Sequence, residues 1–207
     1  VDGILERMQI ERLDSLLLHR PDALVEPEEV AEAFDHLEQA GKVRHFGVSN
    51  QNPMMMELLK TAIKQPLKVN QLQLSAAFTP SFEAGFHVNM EGSKAAVRDG
   101  SVFEYCRLND TVIQAWSVLQ HGYFKGNFVG KEEFAALNHV LTDLAKKYQV
   151  TPTAIALAWV LRYPGKMQAV IGTTKPQHVL EAGKAAEVTL TRKEWYQIYL
   201  AAGNDLP

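Results

Sequence analysis

The sequence predicts an α/β protein built on a parallel sheet, and three observations carry that prediction. Five short apolar segments of strand length recur along the chain. Amphipathic helical stretches separate them, so each strand reaches the next through a helical crossover. The run Leu16-Leu17-Leu18 is of the kind found in strands covered on both faces.

The elements follow in order. Val1, Ile4, Leu5 and Met8 fall at i, i+3, i+4 and i+7, an opening helix. Leu13 to His19 is the first strand. Glu26 to Ala40 reads as a helix: Pro27 suits its first turn, Glu28 and Glu29 its positive dipole end, and Gly41 stops it. Val30, Phe34 and Leu37 form its apolar stripe. Val43 to Ser49 is the second strand. Asn52-Pro53 opens a helix through Met54, Leu58, Leu59 and Ile63, whose methionine run 54–56 reads as core packing. Leu67 to Leu74 alternates as the third strand. Residues 76–100 have no period, and a loop of that length is usually functional or partly disordered. A short helix over Ser101 to Asn109, a fourth strand over Thr111 to Leu119 and an irregular loop over Gln120 to Gly130 come next. Lys131 to Tyr148 and Thr151 to Arg162 are strong helices, the second capped by Thr151-Pro152. Met167 to Gly172 is the fifth strand and Lys175 to Ala186 the last crossover helix. A final helix starts at Thr191, where Thr191 and Glu194 make a capping box.

Five strands fit an open doubly wound sheet or the last five strands of a barrel. No glycine-rich loop follows the first strand, which weakens the dinucleotide-binding version of the open sheet. No repeat, low-complexity tract or linker divides the chain, so it reads as one domain.

Composition narrows function by exclusion. An apolar fraction of 46% with 22% charged residues is ordinary for a globular protein. The 207 residues allow one sizeable core, yet fall short of the roughly 250 of a complete eight-stranded barrel. A net charge of −3 and a pI near 6.2 give no electrostatic case for nucleic acid or an anionic membrane. The single cysteine, Cys106, excludes an intramolecular disulfide and suits a reducing cytoplasm. No stretch approaches the roughly 18 apolar residues of a membrane span. The histidines show no H-x-H or H-E-x-x-H spacing, so no metal site is expected.

In either parallel architecture, function gathers at the carboxyl ends of the strands. There the sequence places His19, then Ser49 and Asn50, then Gln71 and Gln73, then Trp116 and Ser117, and last Gly172, Thr173 and Thr174. The set is neutral and hydrogen-bonding, with one imidazole and one large aromatic. Each member has a structural alternative: a satisfied histidine, a helix N-terminal asparagine, a barrel-filling glutamine, a core tryptophan. Their common location favours the functional reading. Val170 to Pro176 sets a strand, a small-residue turn and a helix start in succession. Helix-end N–H groups, two hydroxyls and Lys175 there make an anion-binding corner, with an ordinary capped turn as the alternative.

The runs LLLHRPD at 16–22, GKVRHFGVSN at 41–50, VNQLQLS at 69–75, AWSVL at 115–119 and IGTTKP at 171–176 together resemble the aldo-keto reductases, in wording closest to bacterial oxidoreductases. The resemblance runs the length of the chain. It implies a (β/α)8 TIM barrel, represented by roughly its last five β/α units plus a C-terminal helix, with residues 1–207 as the C-terminal part of one barrel domain. It also implies a cytoplasmic enzyme passing hydride between NADP(H) and an aldehyde or ketone, with NADH as a second cofactor. Carried over by position, His19 matches the histidine that orients the substrate carbonyl. Ser49, Asn50 and Gln71 match the holders of the nicotinamide carboxamide, and Trp116 the aromatic that stacks on the ring. Ser117, Leu119 and Gly122 match the pyrophosphate strap. Gly172, Thr173, Thr174 and Lys175 match the region around the adenosine 2′-phosphate.

Two departures stand out. His178 occupies a position where the family usually has an arginine; a mostly neutral imidazole cannot form the bidentate fork, which weakens the expected NADPH selectivity. The family's proton-donor tyrosine, its lysine and a supporting aspartate come from strands before the histidine strand and have no match in this sequence. Tyr105, Tyr123, Tyr148, Tyr163, Tyr196 and Tyr199 all lie downstream of His19. Without that acid the expected loss is at least roughly 10²–10⁴ in rate, so the chain alone is expected to be inactive. An apolar parallel edge at Leu13–His19 has no partner to cover it, so three preceding β/α units are expected. The alternatives are a non-catalytic nucleotide-binding or regulatory subunit on the same fold, and a complete five-stranded doubly wound protein.

Overall fold

The structure is a computed structural model, and it describes residues 1–22, 25–81, 101–122 and 125–204. Most of the long irregular stretch expected at 76–100 therefore lies outside the described residues, as do Tyr123 and Phe124 of the second loop. Among the described residues the strands are β1 (Leu13–Leu18), β2 (Val43–Ser49), β3 (Leu67–Gln73), β4 (Val112–Trp116) and β5 (Met167–Ala169). The helices are α1 (Asp2–Met8), α2 (Pro27–Gln39), α3 (Pro53–Lys60), α4 (Val102–Leu108), α5 (Ala135–Tyr148), α6 (Pro152–Leu161), α7 (Pro176–Gly183) and α8 (Arg192–Ala201). The chain forms two compact units, Val1–Leu72 with Glu104–Ile113, and Gln73–Phe103 with Gln114–Pro207.

In the first unit β1, β2 and β3 lie side by side in chain order, each pair parallel. That unbroken order fits consecutive β/α units of a barrel, as it also fits one half of a doubly wound sheet, which reverses only at its switch point. The strands form because β-branched and aromatic residues face a core: Val43, Phe46, Val48 and Leu67 are buried with Phe34, Met56 and Leu59. Phe34 of α2 stacks on Phe46 with centroids 4.1 Å apart, so α2 covers β2. Asn52 caps α3 by accepting from Met55 N–H at 3.0 Å.

Two expectations need correction here. Leu16, Leu17 and Leu18 are half-buried rather than covered on both faces, because β1 has a described strand neighbour on one side alone. Only Met56 of the methionine run enters the core; Met54 and Met55 are 71% and 39% exposed, since successive helical residues point in different directions.

In the second unit Leu74 N–H donates to the Trp116 carbonyl, and Val170 N–H donates to the Ala115 carbonyl at 2.8 Å. Within this unit the end of β4 thus bonds to Leu74 on one side and to Val170, just after β5, on the other. β4 stops at Trp116, short of the expected Leu119, because Ser117 turns the chain with φ +52° and Gln120 N–H closes on the Ser117 carbonyl. α6 carries the core: Ala154, Ile155, Leu157, Trp159 and Val160 are buried, so its apolar residues surround it rather than forming a stripe. α5 packs against α6 and α8.

The capping box of α8 extends into a tertiary cluster. Glu194 accepts from Thr191 N–H and Oγ1, both at 2.8 Å, and from Lys147 Nζ at 2.5 Å and Tyr148 Oη at 2.8 Å. Burial pushes its carboxyl up, but the bonds from Lys147, Thr191 and Tyr148 outweigh it and bring the pKa down to about 2. The unfolded chain then binds the extra proton first, so this stability is present above pH ~4.5 and is lost as pH falls toward 2. Glu194→Gln is expected to cost about 2 kcal/mol at pH 7. Urea titrations should show that gap from wild type closing between pH 4.5 and 2; a pH-independent gap would refute the assignment.

Candidate active site

The first unit assembles a row at the strand ends. Leu18 pairs with Val48, so His19 and Ser49 each stand one residue beyond that pair, and Ser49 pairs in turn with Gln71. Ser49, 2% exposed, donates from Oγ to the Gln71 carbonyl at 2.9 Å. Asn50 N–H donates to the same carbonyl at 2.9 Å, and its Nδ2 donates to Ser49 Oγ at 2.8 Å. Asn50 holds φ +55°, a left-handed conformation that asparagine tolerates and that turns the chain out of β2 toward α3. Ser49, Asn50 and Gln71 are therefore one hydrogen-bonded group, and exposed His19 lies one strand away. The second residue expected at the end of β3, Gln73, has a buried Nε2 with no hydrogen-bond partner.

The second unit holds a pocket of about 520 Å³. The end of β4 supplies Trp116, Ser117, Leu119 and Gln120 to its wall; Val170, Ile171, Gly172 and Thr173 supply another side, and His178 a third. Thr173 Oγ1 accepts from Lys175 N–H at 3.2 Å and stands 3.4 Å from His178 Nδ1, tying the turn to the start of α7. Gly122 is buried but does not reach the wall, and neither do Thr174 and Lys175, which are exposed. A Cβ at Gly172 would meet nothing within 4 Å, so space alone does not demand glycine there.

Sequence reasoning missed Gln120, Asn127, Thr153, Leu157 and Glu181 in the pocket wall. Helical spacing held part of the signal, since Thr153 and Leu157 are i, i+4 and His178 and Glu181 are i, i+3. Asn127 had no such signal, because it arrives through an antiparallel bridge to Gln120. Cys106 is buried, and burial raises its thiol to about 11, which leaves it a poor nucleophile. Among the described residues no group of three or more His, Cys, Asp or Glu could hold a metal ion, and no helix is long and apolar enough to cross a membrane.

Comparison with known proteins decides the family. The sequence profile of the Aldo/keto reductase family matches residues 1–201. This chain belongs to the aldo/keto reductase family. It is 33% identical over 208 residues to a 6-dehydroglucose reductase of Agrobacterium fabrum, covering 100% of this chain and 63% of that protein. It is 34% identical over 199 residues to the oxidoreductase YdhF of Escherichia coli, covering 95% of this chain and 60% of the relative. The chain thus spans about three fifths of the length of these two relatives. A crystal structure of an aldo/keto reductase from Klebsiella pneumoniae, in complex with NADP and acetate, superposes with a TM-score of 0.72 at 24% identity. That match covers 95% of this chain and 61% of the other. The fold is that of the aldo/keto reductase barrel, of which the five strands are consecutive β/α units.

Proposed function

We propose that residues 1–207 are the carboxyl-terminal part of a single barrel domain whose reaction is hydride transfer between NADP(H) and an aldehyde or ketone, with NADH as an alternative cofactor. The observation that carries this reading is the polar lining of the strand ends. Neutral donors and acceptors, one aromatic and a turn leading into a helix recur at those ends. The second-unit pocket fits part of a dinucleotide: it combines the Trp116 ring with hydroxyls and peptide groups, and Gln120 Oε1 is buried there without a hydrogen-bond partner.

In this reading Ser49, Asn50 and Gln71 hold the nicotinamide carboxamide, and Trp116 stacks beside the ring. Ser117, Leu119 and Gly122 follow the pyrophosphate, and Gly172, Thr173, Thr174, Lys175 and His178 surround the adenosine ribose. When bound, the cofactor supplies the hydride. His19 donates an imidazole N–H to the substrate oxygen and so sets the carbonyl's angle. The proton needs an acid that no residue of this chain has been matched to, so the chain by itself is expected to bind cofactor without turnover. A cytoplasmic setting and a small carbonyl substrate belong to the same proposal. The test is titration of the chain with NADPH, read by quenching of tryptophan emission and by the cofactor's own fluorescence. No change in either signal overturns the reading.

His178 gives a sharper prediction. His178→Arg adds a permanent cation with a planar fork, and is expected to tighten NADPH relative to NADH about tenfold. Parallel titrations with the two cofactors measure it. An unchanged ratio would show that His178 does not face the 2′-phosphate.

A further inference from the structure

The limb of chain that returns from the second-unit pocket is held by one side chain. Asn138, in the first turn of α5, shares its two Nδ2 hydrogens among the carbonyls of Phe128 at 2.9 Å, Lys131 at 3.0 Å and Phe134 at 3.1 Å. Its Oδ1 accepts from Gly130 N–H at 2.8 Å. Four backbone groups of an irregular segment therefore converge on a single amide. Gly130, at φ +78°, makes the turn that lets the carbonyls on either side of it reach the same donor.

That segment is joined directly to the pocket wall. Gln120 and Asn127 form an antiparallel bridge, and Phe128 N–H donates to the Leu119 carbonyl at 3.0 Å. Leu119, Gln120 and Asn127 all line the pocket, while the Phe128 side chain is fully buried behind them. Asn127 Oδ1 accepts from Val129 N–H at 2.8 Å, so the Asn127 side chain is also set by the returning limb. The Phe128 and Lys131 carbonyls also accept from Lys131 N–H at 3.2 Å and Phe134 N–H at 3.1 Å, so Asn138 adds a side-chain donor to a limb held otherwise by single turns.

We propose that Asn138 is a positioning residue for ligand binding: it fixes the 127–134 limb so that the Leu119, Gln120 and Asn127 wall is formed before the ligand arrives. The proposal rests on the dinucleotide reading above, and the ligand is then NADP(H) or NAD(H). Asn138 touches no ligand; it acts by removing the ordering that the wall would otherwise undergo on binding, which raises affinity through slower dissociation.

The experiment uses the whole chain with NADP⁺ and NAD⁺ as probes and compares Asn138→Ala and Asn138→Asp with wild type. Aspartate keeps the acceptor for Gly130 N–H and loses the donors to the three carbonyls. Both variants are expected to raise the dissociation constant about tenfold, equivalent to one or two neutral hydrogen bonds. Amide exchange should accelerate at Phe128, Val129 and Gly130 while α6 is unaffected. Tyr148→Phe, which loosens the Glu194 cluster, serves as a control for general destabilisation and should leave the dissociation constant unchanged. A constant within twofold of wild type in Asn138→Ala overturns the proposal, as does an equal rise in the control. A wild-type chain that binds neither dinucleotide overturns the functional reading itself, and this proposal with it.

Discussion

Gly47→Ala is expected to destabilise the first unit by about 3 kcal/mol, and Gly47→Val to prevent its folding. Gly47 is central in β2, with Leu17 of β1 and Val69 of β3 as its register partners. A Cβ added there would lie 2.5 Å from the Val69 carbonyl oxygen, 2.6 Å from Leu17 Cδ2 and 2.9 Å from Val69 Cβ. Two of those atoms are fixed by the backbone, so no rotamer change relieves the overlap and β2 must shift against β3. Glycine in a strand interior ordinarily weakens it, so its presence here follows from close approach. Amide exchange in β1, β2 and β3 gives the local free energy. Protection equal to wild type in Gly47→Ala would show that the strands separate more easily than this packing implies.

Trp159→Ala is expected to cost the second unit about 4 kcal/mol, lowering the thermal midpoint by roughly 10 °C. Trp159 is fully buried, and its ring stacks on Trp195 with centroids 4.8 Å apart and planes 11° apart. The two indoles also cross-bond: Trp159 Nε1 donates to the Trp195 carbonyl at 3.0 Å, and Trp195 Nε1 to the Trp159 carbonyl at 3.1 Å. Trp195 in turn stacks on Tyr199, so this column ties α6 to α8. Alanine removes the ring, leaves a large cavity and removes the indole N–H that bonds the Trp195 carbonyl. Trp159→Phe keeps most of the stacking and loses the N–H, so about 1–2 kcal/mol is expected. Equal losses in the two variants would mean that the hydrogen bond, and not the stacked ring, dominates.

Much of the architecture was legible because its signals are local. Apolar spacing located α1, α2 and α3; Thr151-Pro152 and the Thr191/Glu194 pair set the starts of α6 and α8 to the residue. β2 was read with its observed ends, Val43 and Ser49. The misplaced boundaries have conformational causes. β4 ends early because Ser117 enters the left-handed region. The helix expected from Lys131 begins with the 3-10 turn Glu132–Phe134, and the one expected to reach Ala186 passes into another at Lys184–Glu187. Hydrophobic spacing alone does not separate 3-10 from α over a single turn.

The site was legible as a list of strand ends and not as an arrangement. That Ser49, Asn50 and Gln71 would stand at neighbouring strand ends followed from parallel topology; that Ser49 and Asn50 would both bond the Gln71 peptide group did not. Glu181 and Asn127 reached the pocket through a helix face and a bridge that no motif marks.

By itself the sequence determined the class of fold, the order of its elements and the residues at each strand's carboxyl end, because propensity, capping and hydrophobic period act over a few neighbouring residues. Only the tertiary structure decided why position 47 must be glycine, which residues wall the pocket and that Asn138 gathers the returning loop. Those depend on distances between residues remote in sequence, which close packing sets and local pattern does not encode.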